Sequence, residues 1–581
     1  FKFRSSYSMD LENISNNSMT PIYYLLPTSS HPYSTVSTSF SRATNWQTEN
    51  VLTYAHDFGK HNIQAVVGQS ALKYFYQNLG GSRNDPAPIA PGLAYIDVAT
   101  DITSSVNNGG ADVRTLASYF GRVAYDYDGK YLASAVLRRD GSSRFGRNNL
   151  YATFPSASAA WVISREHFFH PGTVSFRKVR ASWGQNGNEN LRSSFPWAST
   201  INTANNGYTF LSNGQEILVS GASLSAISNP DLKWETSEQT DFGVDMDLWG
   251  EKLSVSADYY IKTTKGLLIR PSIPDIVGYS APYVNGGNVQ NKGVELGITY
   301  KGQITRDLGI NASFNISHNV NKVTRIDNTA EAIAGANYIN MGSITRMAVG
   351  EPIAYFWGVK TAGIFQTQEQ IDTYTYTNPT TGATKLIQPN AKPGDLKFID
   401  QNGDGTINDN DRVNLGDPNP KYTTGLTINL FYKNLDLTIF SIGMFGQKVF
   451  NGNYRFDKTV SNLPKTMLDS WSPDNTDARY PRFVSNDPNR NYSTVSDLLL
   501  EKDNFVRVKD LQLGYTLPEA LTTRFKVNTL RVFVAVDNAF TFTKYSGFDP
   551  EIGATSPLSM GIDRGVYPQS RTFRFGVDLK L

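Results

Sequence analysis

Between Phe242 and Phe314 four segments alternate apolar and polar residues: Phe242/Val244/Met246/Leu248, Leu253/Val255/Ala257/Tyr259/Ile261, Val294/Leu296/Ile298/Tyr300 and Leu308/Ile310/Ala312/Phe314, with polar or glycine positions between them. Successive side chains of a strand point to opposite faces, so each segment predicts one apolar and one polar face. Strands of this kind close into a barrel with lipid outside and water inside. Leu253, Val255, Ala257 and Tyr259 are therefore expected to face lipid, and Ser254, Ser256 and Asp258 water, the only assignment that keeps the charge hydrated.

Period-2 segments of about 10–13 residues, the span of a tilted membrane strand, begin near residues 1, 45, 61, 115, 130, 151, 174, 238, 252, 291, 307, 421, 434, 504, 528 and 570. Their connections alternate in length. Short ones lie at Asp57 to Lys60, Asp128-Gly129, Gly250-Glu251, Gly302 to Asp307, Lys433-Asn434 and Leu517 to Asn528; long polar ones fill 75–114, 187–237, 265–290, 320–420, 446–503 and 542–569. The connections at 141–150 and 164–173 break the alternation. Short turns on one rim and long loops on the other are the layout of an outer-membrane barrel, whose short rim is periplasmic. The whole of 1–581 reads as one all-β, antiparallel transmembrane barrel portion, with its long loops extracellular.

Composition narrows the class. Of 581 residues 39% are hydrophobic, and Tyr and Phe contribute 31 and 32, which suits a β-rich chain with a wet interior. No run approaches the roughly 18–20 apolar residues of a membrane helix. The chain has no cysteine, which removes a disulfide framework, a thiolate metal site and a cysteine nucleophile. A net charge of +2 gives no sign of a nucleic-acid surface. The opening Phe1-Lys2-Phe3-Arg4 lacks an initiator Met and reads as the inside of a strand, so further sequence is expected upstream.

The C-terminal Phe573, Phe575, Val577, Leu579 and Leu581 share one face, and Arg574-x-Gly576-x-x-Leu579-x-Leu581 resembles the signal by which outer-membrane barrels are recognised for insertion. Further stretches carry a family resemblance: Arg138 to Gly146 (RRDGSSRFG), Ala181 to Asn188 (ASWGQNGN), Asn229 to Glu235 (NPDLKWE), Gly287 to Leu296 (GNVQNKGVEL), Phe505 to Tyr515 (FVRVKDLQLGY) and Asn538 to Tyr545 (NAFTFTKY). Through them the chain resembles the barrel of a SusC-like TonB-dependent outer-membrane transporter of the Bacteroidota. That resemblance implies the C-terminal part of a twenty-two-stranded barrel, with plug and first strands outside this chain. It further implies energy from TonB, ExbB and ExbD through the plug, a SusD-like lipoprotein closing the outer mouth, and a glycan or peptide as cargo.

One local motif carries ligand chemistry. Residues 400–411 match a calcium loop, with side-chain oxygens of Asp400, Asn402 and Asp404 at positions 1, 3 and 5, a turn at Gly405, the Thr406 carbonyl at position 7 and Asp411 at position 12. Hard oxygens at that spacing suit Ca²⁺; the competing reading is an Asx-rich turn. A strand, not a helix, precedes the loop at Leu396 to Ile399. Of six histidines only His167 and His170 are close, and no further ligand set accompanies them. No nucleophile elbow, phosphate loop or H-E-x-x-H motif occurs, so the chain is expected not to be an enzyme. Aromatic residues crowd the loops, among them Tyr23, Tyr24, Tyr33, Trp197, Tyr208, Tyr279, Tyr283, Phe356, Trp357, Phe365, Tyr374, Tyr376, Tyr454, Trp471, Tyr480 and Tyr545. Such rings stack on sugars or pack loops together. Two rival functions stand beside active import: a passive porin or receptor barrel, and a soluble calcium-dependent carbohydrate-active protein.

Overall fold

In the computed structural model every alternating segment forms a strand, and the strands make a single antiparallel sheet of sixteen whose order follows the chain. They are β1 (Lys2–Thr20), β2 (Ser34–Phe58), β3 (His61–Asp85), β4 (Asp101–Tyr127), β5 (Tyr131–Ser142), β6 (Tyr151–Val162), β7 (Val174–Asn188), β8 (Glu235–Leu248), β9 (Leu253–Lys265), β10 (Gly287–Gln303), β11 (Leu308–Ile326), β12 (Tyr422–Tyr432), β13 (Leu435–Phe445), β14 (Phe505–Thr516), β15 (Thr529–Thr543) and β16 (Thr572–Lys580). The structure describes the chain except residues 27–28, 192, 203–206, 213, 272–275, 277, 280, 328–330, 454–462, 485, 555 and 581. Tyr454 and the terminal Leu581 of the apolar pattern thus lie outside the described residues. No helix among the described residues is long and apolar enough to cross a membrane.

The short rim is built as the turn residues dictate. Asp128 and Gly129 have φ of 55° and 63°, the left-handed pair a two-residue hairpin turn requires. The outer side corrects the expected strand lengths: β2 and β3 have 25 residues each and β4 has 27, so the connection expected at 75–114 shrinks to 86–100. These extensions are polar and lack an apolar face, which is why they read as loop. In water a ladder needs only its backbone bonds and polar cross-strand pairs. Arg42 Nε donates to Asn13 Oδ1 at 3.0 Å, and the hydroxyls of Thr38 and Thr35 donate to Asn17 and Asn84 at 2.8 Å each.

The chain divides into two compact units, the first comprising 1–159, 182–237 and 268–285, the second 160–181, 238–267 and 286–581. In the second, register carries apolar residues rung by rung. Leu253 pairs with Tyr300, and the row continues through Ala312, Ile428, Ile439, Leu511, Val536 and Phe573. The adjacent polar row runs Ser254, Thr299, Ser313, Thr427, then Phe440, Asp510, Asp537 and Thr572. The apolar rows are not a core: Phe575 is 80% exposed. An exposed apolar band with Tyr432 and Tyr515 at its short-turn margin is the surface lipid wants. The first unit has an apolar row of its own through Phe3, Leu52, Val67, Gly121 and Leu137, with Val67 65% exposed.

Two of the resemblance stretches, Arg138 to Gly146 and Asn229 to Glu235, meet in the core of the first unit. Phe145, Leu191, Leu232 and Trp234 are buried together with Phe154. Trp234 Nε1 donates to the Leu150 carbonyl at 3.2 Å, Asn149 Nδ2 to that of Asp231 at 3.1 Å, and a Cβ on Gly146 would stand 2.2 Å from the Pro230 carbonyl oxygen. The short connection at 141–150 is short because it is folded inward as a packing element.

Val255→Arg is expected to destabilise the refolded barrel by about 2–4 kcal/mol, since it places a charge in the lipid-facing band. Arg at the neighbouring Ser256, on the polar face, should have a much smaller effect. Urea unfolding in lipid vesicles measures both, and equal losses would show the face assignment to be wrong.

Candidate functional site

The polar face of the second unit carries groups of compensated charges. Arg180 on β7 donates to Asp258 on β9 at 2.8 Å and to Asp245 and Asp241 on β8 at 3.2 and 3.3 Å, and Lys178 joins Asp245 at 3.1 Å. Asp258 therefore stands on the polar side, as the alternation expects. Arg531 binds both oxygens of Asp436 and reaches Asp578 at 2.8 Å, while Arg574 bridges Asp510 and Asp537 at 2.9 and 2.8 Å. Glycines make the room. A Cβ on Gly243 would lie 2.4 Å from the Arg180 guanidinium carbon, and one on Gly514 2.4 Å from Arg531 Nη2.

Beyond the strands, the long connections of the second unit fold into a layer with its own core. Tyr338, Ile344, Phe356, Leu415, Phe450, Tyr480, Tyr492, Val495, Leu499 and Ile562 come from five separate stretches and are buried against one another. Ionic contacts lock the layer: Arg482 grips Asp395 with two bonds of 2.7 and 3.0 Å, and Arg507 of the Phe505–Tyr515 stretch binds the buried Asp549 at 2.8 Å. Many of the aromatic residues singled out in the sequence are therefore packing elements. Phe356, Phe365, Tyr480 and Tyr545 are buried, and Tyr374 spends its hydroxyl on the Phe398 carbonyl at 2.7 Å. Tyr23, Tyr24, Tyr33 and Tyr208 remain exposed.

The 400–411 segment adopts the tight loop its residues prescribe. Asp400 accepts the amides of Gly403, Asp404 and Gly405 at 2.8, 3.2 and 2.7 Å, and Asp404 accepts that of Thr406 at 2.9 Å. Gly405 has φ of 78° and lies against the Tyr376 ring. Asp400, Asn402 and Asp404 share the loop, the Asn402 amide donating to Asp404 at 2.9 Å and holding that carboxyl below its ordinary range. Asp411 is fully buried and accepts the amides of Gln401 and Asn408 at 2.8 and 2.7 Å, so it closes the loop from beneath. The Thr406 carbonyl accepts Asn408 Nδ2 at 3.2 Å. Among the described residues no three acidic or histidine side chains are grouped as metal ligands. Oxygen donors are thus present in calcium-loop order, with the position-12 carboxylate turned toward backbone amides. His170 meets the Phe168 carbonyl through Nδ1 at 3.0 Å.

A sheet with an exposed apolar band, a charge-paired polar face and structured loops on one rim is reproduced in known proteins. Residues 1–539 match the family described as TonB dependent receptor-like, beta-barrel. The chain belongs to that family. It is 31% identical over 551 residues to TonB-dependent receptor P3 of Formosa agariphila, covering 93% of this chain and 53% of that relative. It is 29% identical over 476 residues to TonB-dependent receptor SusC of Bacteroides thetaiotaomicron, covering 80% of this chain and 44% of SusC. Its fold superposes on the RagAB peptide transporter with a TM-score of 0.79 at 23% identity, over 99% of this chain and 60% of that one. The resemblance to SusC-like barrels is borne out, and the family assignment places the chain in the bacterial outer membrane. This removes the soluble carbohydrate-active reading. The chain spans about half the length of the curated relatives it matches.

A group that sequence reasoning missed lies at the base of the outer loops. Asp503 is 3% exposed, its Oδ1 has no hydrogen-bond partner among the described residues, and burial pushes its carboxyl up to about 7, with Glu501, Asp549 and Asp563 adding repulsion. Those neighbours are satisfied, Glu501 by Arg479, Asp549 by Arg507 and Asp563 by the Tyr545 hydroxyl. A carboxyl raised in the folded state stabilises it fully below the ordinary aspartate value of about 4, and that contribution is lost as pH rises through about 7. Hydrogen-exchange protection at 448–451 and 500–502, corrected for intrinsic exchange, should therefore fall from roughly pH 4 to about pH 7 and level off above it, and Asp503→Asn should flatten the dependence. An identical pH profile in the variant would assign the effect elsewhere.

Proposed function

We propose that the complete protein imports a large nutrient, an oligosaccharide or oligopeptide, across the outer membrane, driven by TonB with ExbB and ExbD and assisted by a SusD-like surface lipoprotein. The observation that carries this reading is the outer layer of the second unit, whose ten-residue core makes its long connections a rigid surface. Loops of such length in a plain connector would have no reason to bury a core of their own. A preformed surface binds a partner without the entropy cost of ordering loops. The names of relatives agree with it: SusC is a TonB-dependent receptor and RagAB a peptide transporter. Purification from the native membrane is expected to yield the barrel with a lipoprotein on its extracellular side, burying more than the roughly 1,200–2,000 Å² of a standard interface. A barrel that reproducibly comes out alone, and a nutrient flux indifferent to collapse of the proton gradient, would favour the passive-porin reading.

We also propose that the 400–411 loop takes Ca²⁺ through Asp400, Asn402, Asp404, the Thr406 carbonyl and Asp411, at oxygen distances of about 2.3–2.6 Å. Support comes from the donor order and from the amides that already hold Asp400 and Asp404 in a tight loop. The ion would neutralise the loop's acidic side chains and stiffen it. Limited proteolysis should show residues 395–420 protected by calcium and opened by chelator, with Asp404→Ala losing that response while the barrel stays folded. Equal cleavage of wild type in calcium and in chelator would leave the segment an Asx-rich turn.

A further inference from the structure

A cavity of about 210 Å³ lies among the outer segments of the second unit, beside the 400–411 loop. Its floor is apolar, made by Val359, Phe398 and Ile407, which pack together in the loop core. Two polar wall residues are consumed by the fold: Gln388 and Asn489 both donate to the Leu396 carbonyl, at 2.9 and 3.1 Å. Asn390, Arg490 and Thr494 differ. They line the same cavity, and among the described residues none of their side chains makes a hydrogen bond or an ion pair. The contrast with the other cation of the wall is direct, since Arg412 is paired with Asp409 at 3.0 Å.

The turn that presents Arg490 is built against the grain of the backbone. Asn486, Asp487 and Arg490 have φ of 66°, 32° and 58°, a left-handed region that side-chain-bearing residues rarely occupy. Such positions persist only where surrounding contacts over-determine them, and they cluster at ligand sites. Here the Asp487 carboxylate supplies the contacts, accepting the Tyr492 amide at 2.8 Å and Asn491 Nδ2 at 2.9 Å.

We infer that this cleft binds a carboxylate-bearing sugar, a hexuronate unit of a glycan. Its volume equals the share of about seven liquid waters, room for a single ring. An unpaired guanidinium matches a carboxylate in fork geometry, the Asn390 amide and Thr494 hydroxyl suit ring hydroxyls, and the apolar floor suits a sugar's CH face. The walls at 387–390, 406–409 and 488–490 are turns and bends, so the strand-addition mode of reading a peptide backbone is not offered here. The inference deepens the proposed import function and rests on its placing these segments outside the membrane, but its test is binding and needs no uptake.

The test is saturation-transfer NMR on the complete transporter in detergent, with D-glucuronate, D-glucose, an N-acetyl dipeptide and acetate as probes. Transfer to the glucuronate ring protons is expected, with weaker transfer to glucose and none to acetate. Arg490→Gln should weaken glucuronate by about tenfold, the worth of one charge-assisted hydrogen bond, while Arg490→Lys, which keeps the charge but loses the fork, should fall between Gln and wild type. Arg490 is exposed and lies outside the strands, so heat-modifiable migration of the variants should match wild type. Glucuronate binding unchanged in Arg490→Gln, or acetate bound as well as glucuronate, overturns the site. A dipeptide that competes equally overturns the sugar assignment. Failed binding with intact energised uptake removes the cleft alone, and failed uptake with intact binding removes the import reading alone.

Discussion

The sheet depends on one constraint: in hydrocarbon no water is available for a bare amide or carbonyl, so every backbone group must be paired within the protein. A meander meets this strand by strand, because each strand bonds its sequence neighbour and no connection crosses the sheet. Alternation then follows. With lipid on one side and water on the other, a residue's parity along its strand decides its chemistry, and the rows from Leu253 to Phe573 and from Ser254 to Thr572 are that rule written across eight strands. Slipping any strand by one residue would exchange the rows and carry Asp258 or Asp510 into lipid.

The same constraint governs the charges. Polar-face cations and carboxylates sit beside low-dielectric walls, where an uncompensated charge is costly. The structure answers with clusters, among them Arg180 with three aspartates and Arg531 between two. Bulky guanidinium groups lying flat on a sheet collide with the next strand unless that strand has no side chain there. Gly243 and Gly514 are thus part of the ion pairs, although they carry no charge.

Much of this was legible in the sequence, and the exceptions have a physical pattern. All sixteen strands were marked by period-2 alternation because half-burial in lipid forces it. The outer halves of β2, β3 and β4 escaped because water imposes no such rule, and Thr38 or Arg42 can serve a ladder as well as a loop. The 400–411 loop was visible because its geometry is local and each Asx caps an amide a few residues on. Asp503 and the Asn390–Arg490–Thr494 cleft were invisible, since their meaning comes from neighbours distant in the chain, Gln447, Asp549 and Asp563 for the one and the 387–409 segments for the other. The aromatic residues stayed open for the same reason: a ring in a polar loop reads as a ligand platform or as packing until the partners that bury Phe356 or Tyr480 are known.

The outer layer is where the constraint is relaxed, and there the fold resembles an ordinary soluble protein, with a hydrophobic core, buried ion pairs and capped turns. This division separates the two tasks that membership in the TonB-dependent receptor family implies. Strands locked by lipid leave little freedom for recognition, because each face is already assigned to a solvent. Segments anchored at both ends in that rigid frame can diversify without endangering it, as long as the core of Tyr338, Phe356, Phe450 and Tyr492 holds their backbones in place. On the inference of a uronate cleft, specificity would reside in side chains the layer leaves unspent, and Arg490, held in a conformation its own backbone disfavours, is the clearest candidate.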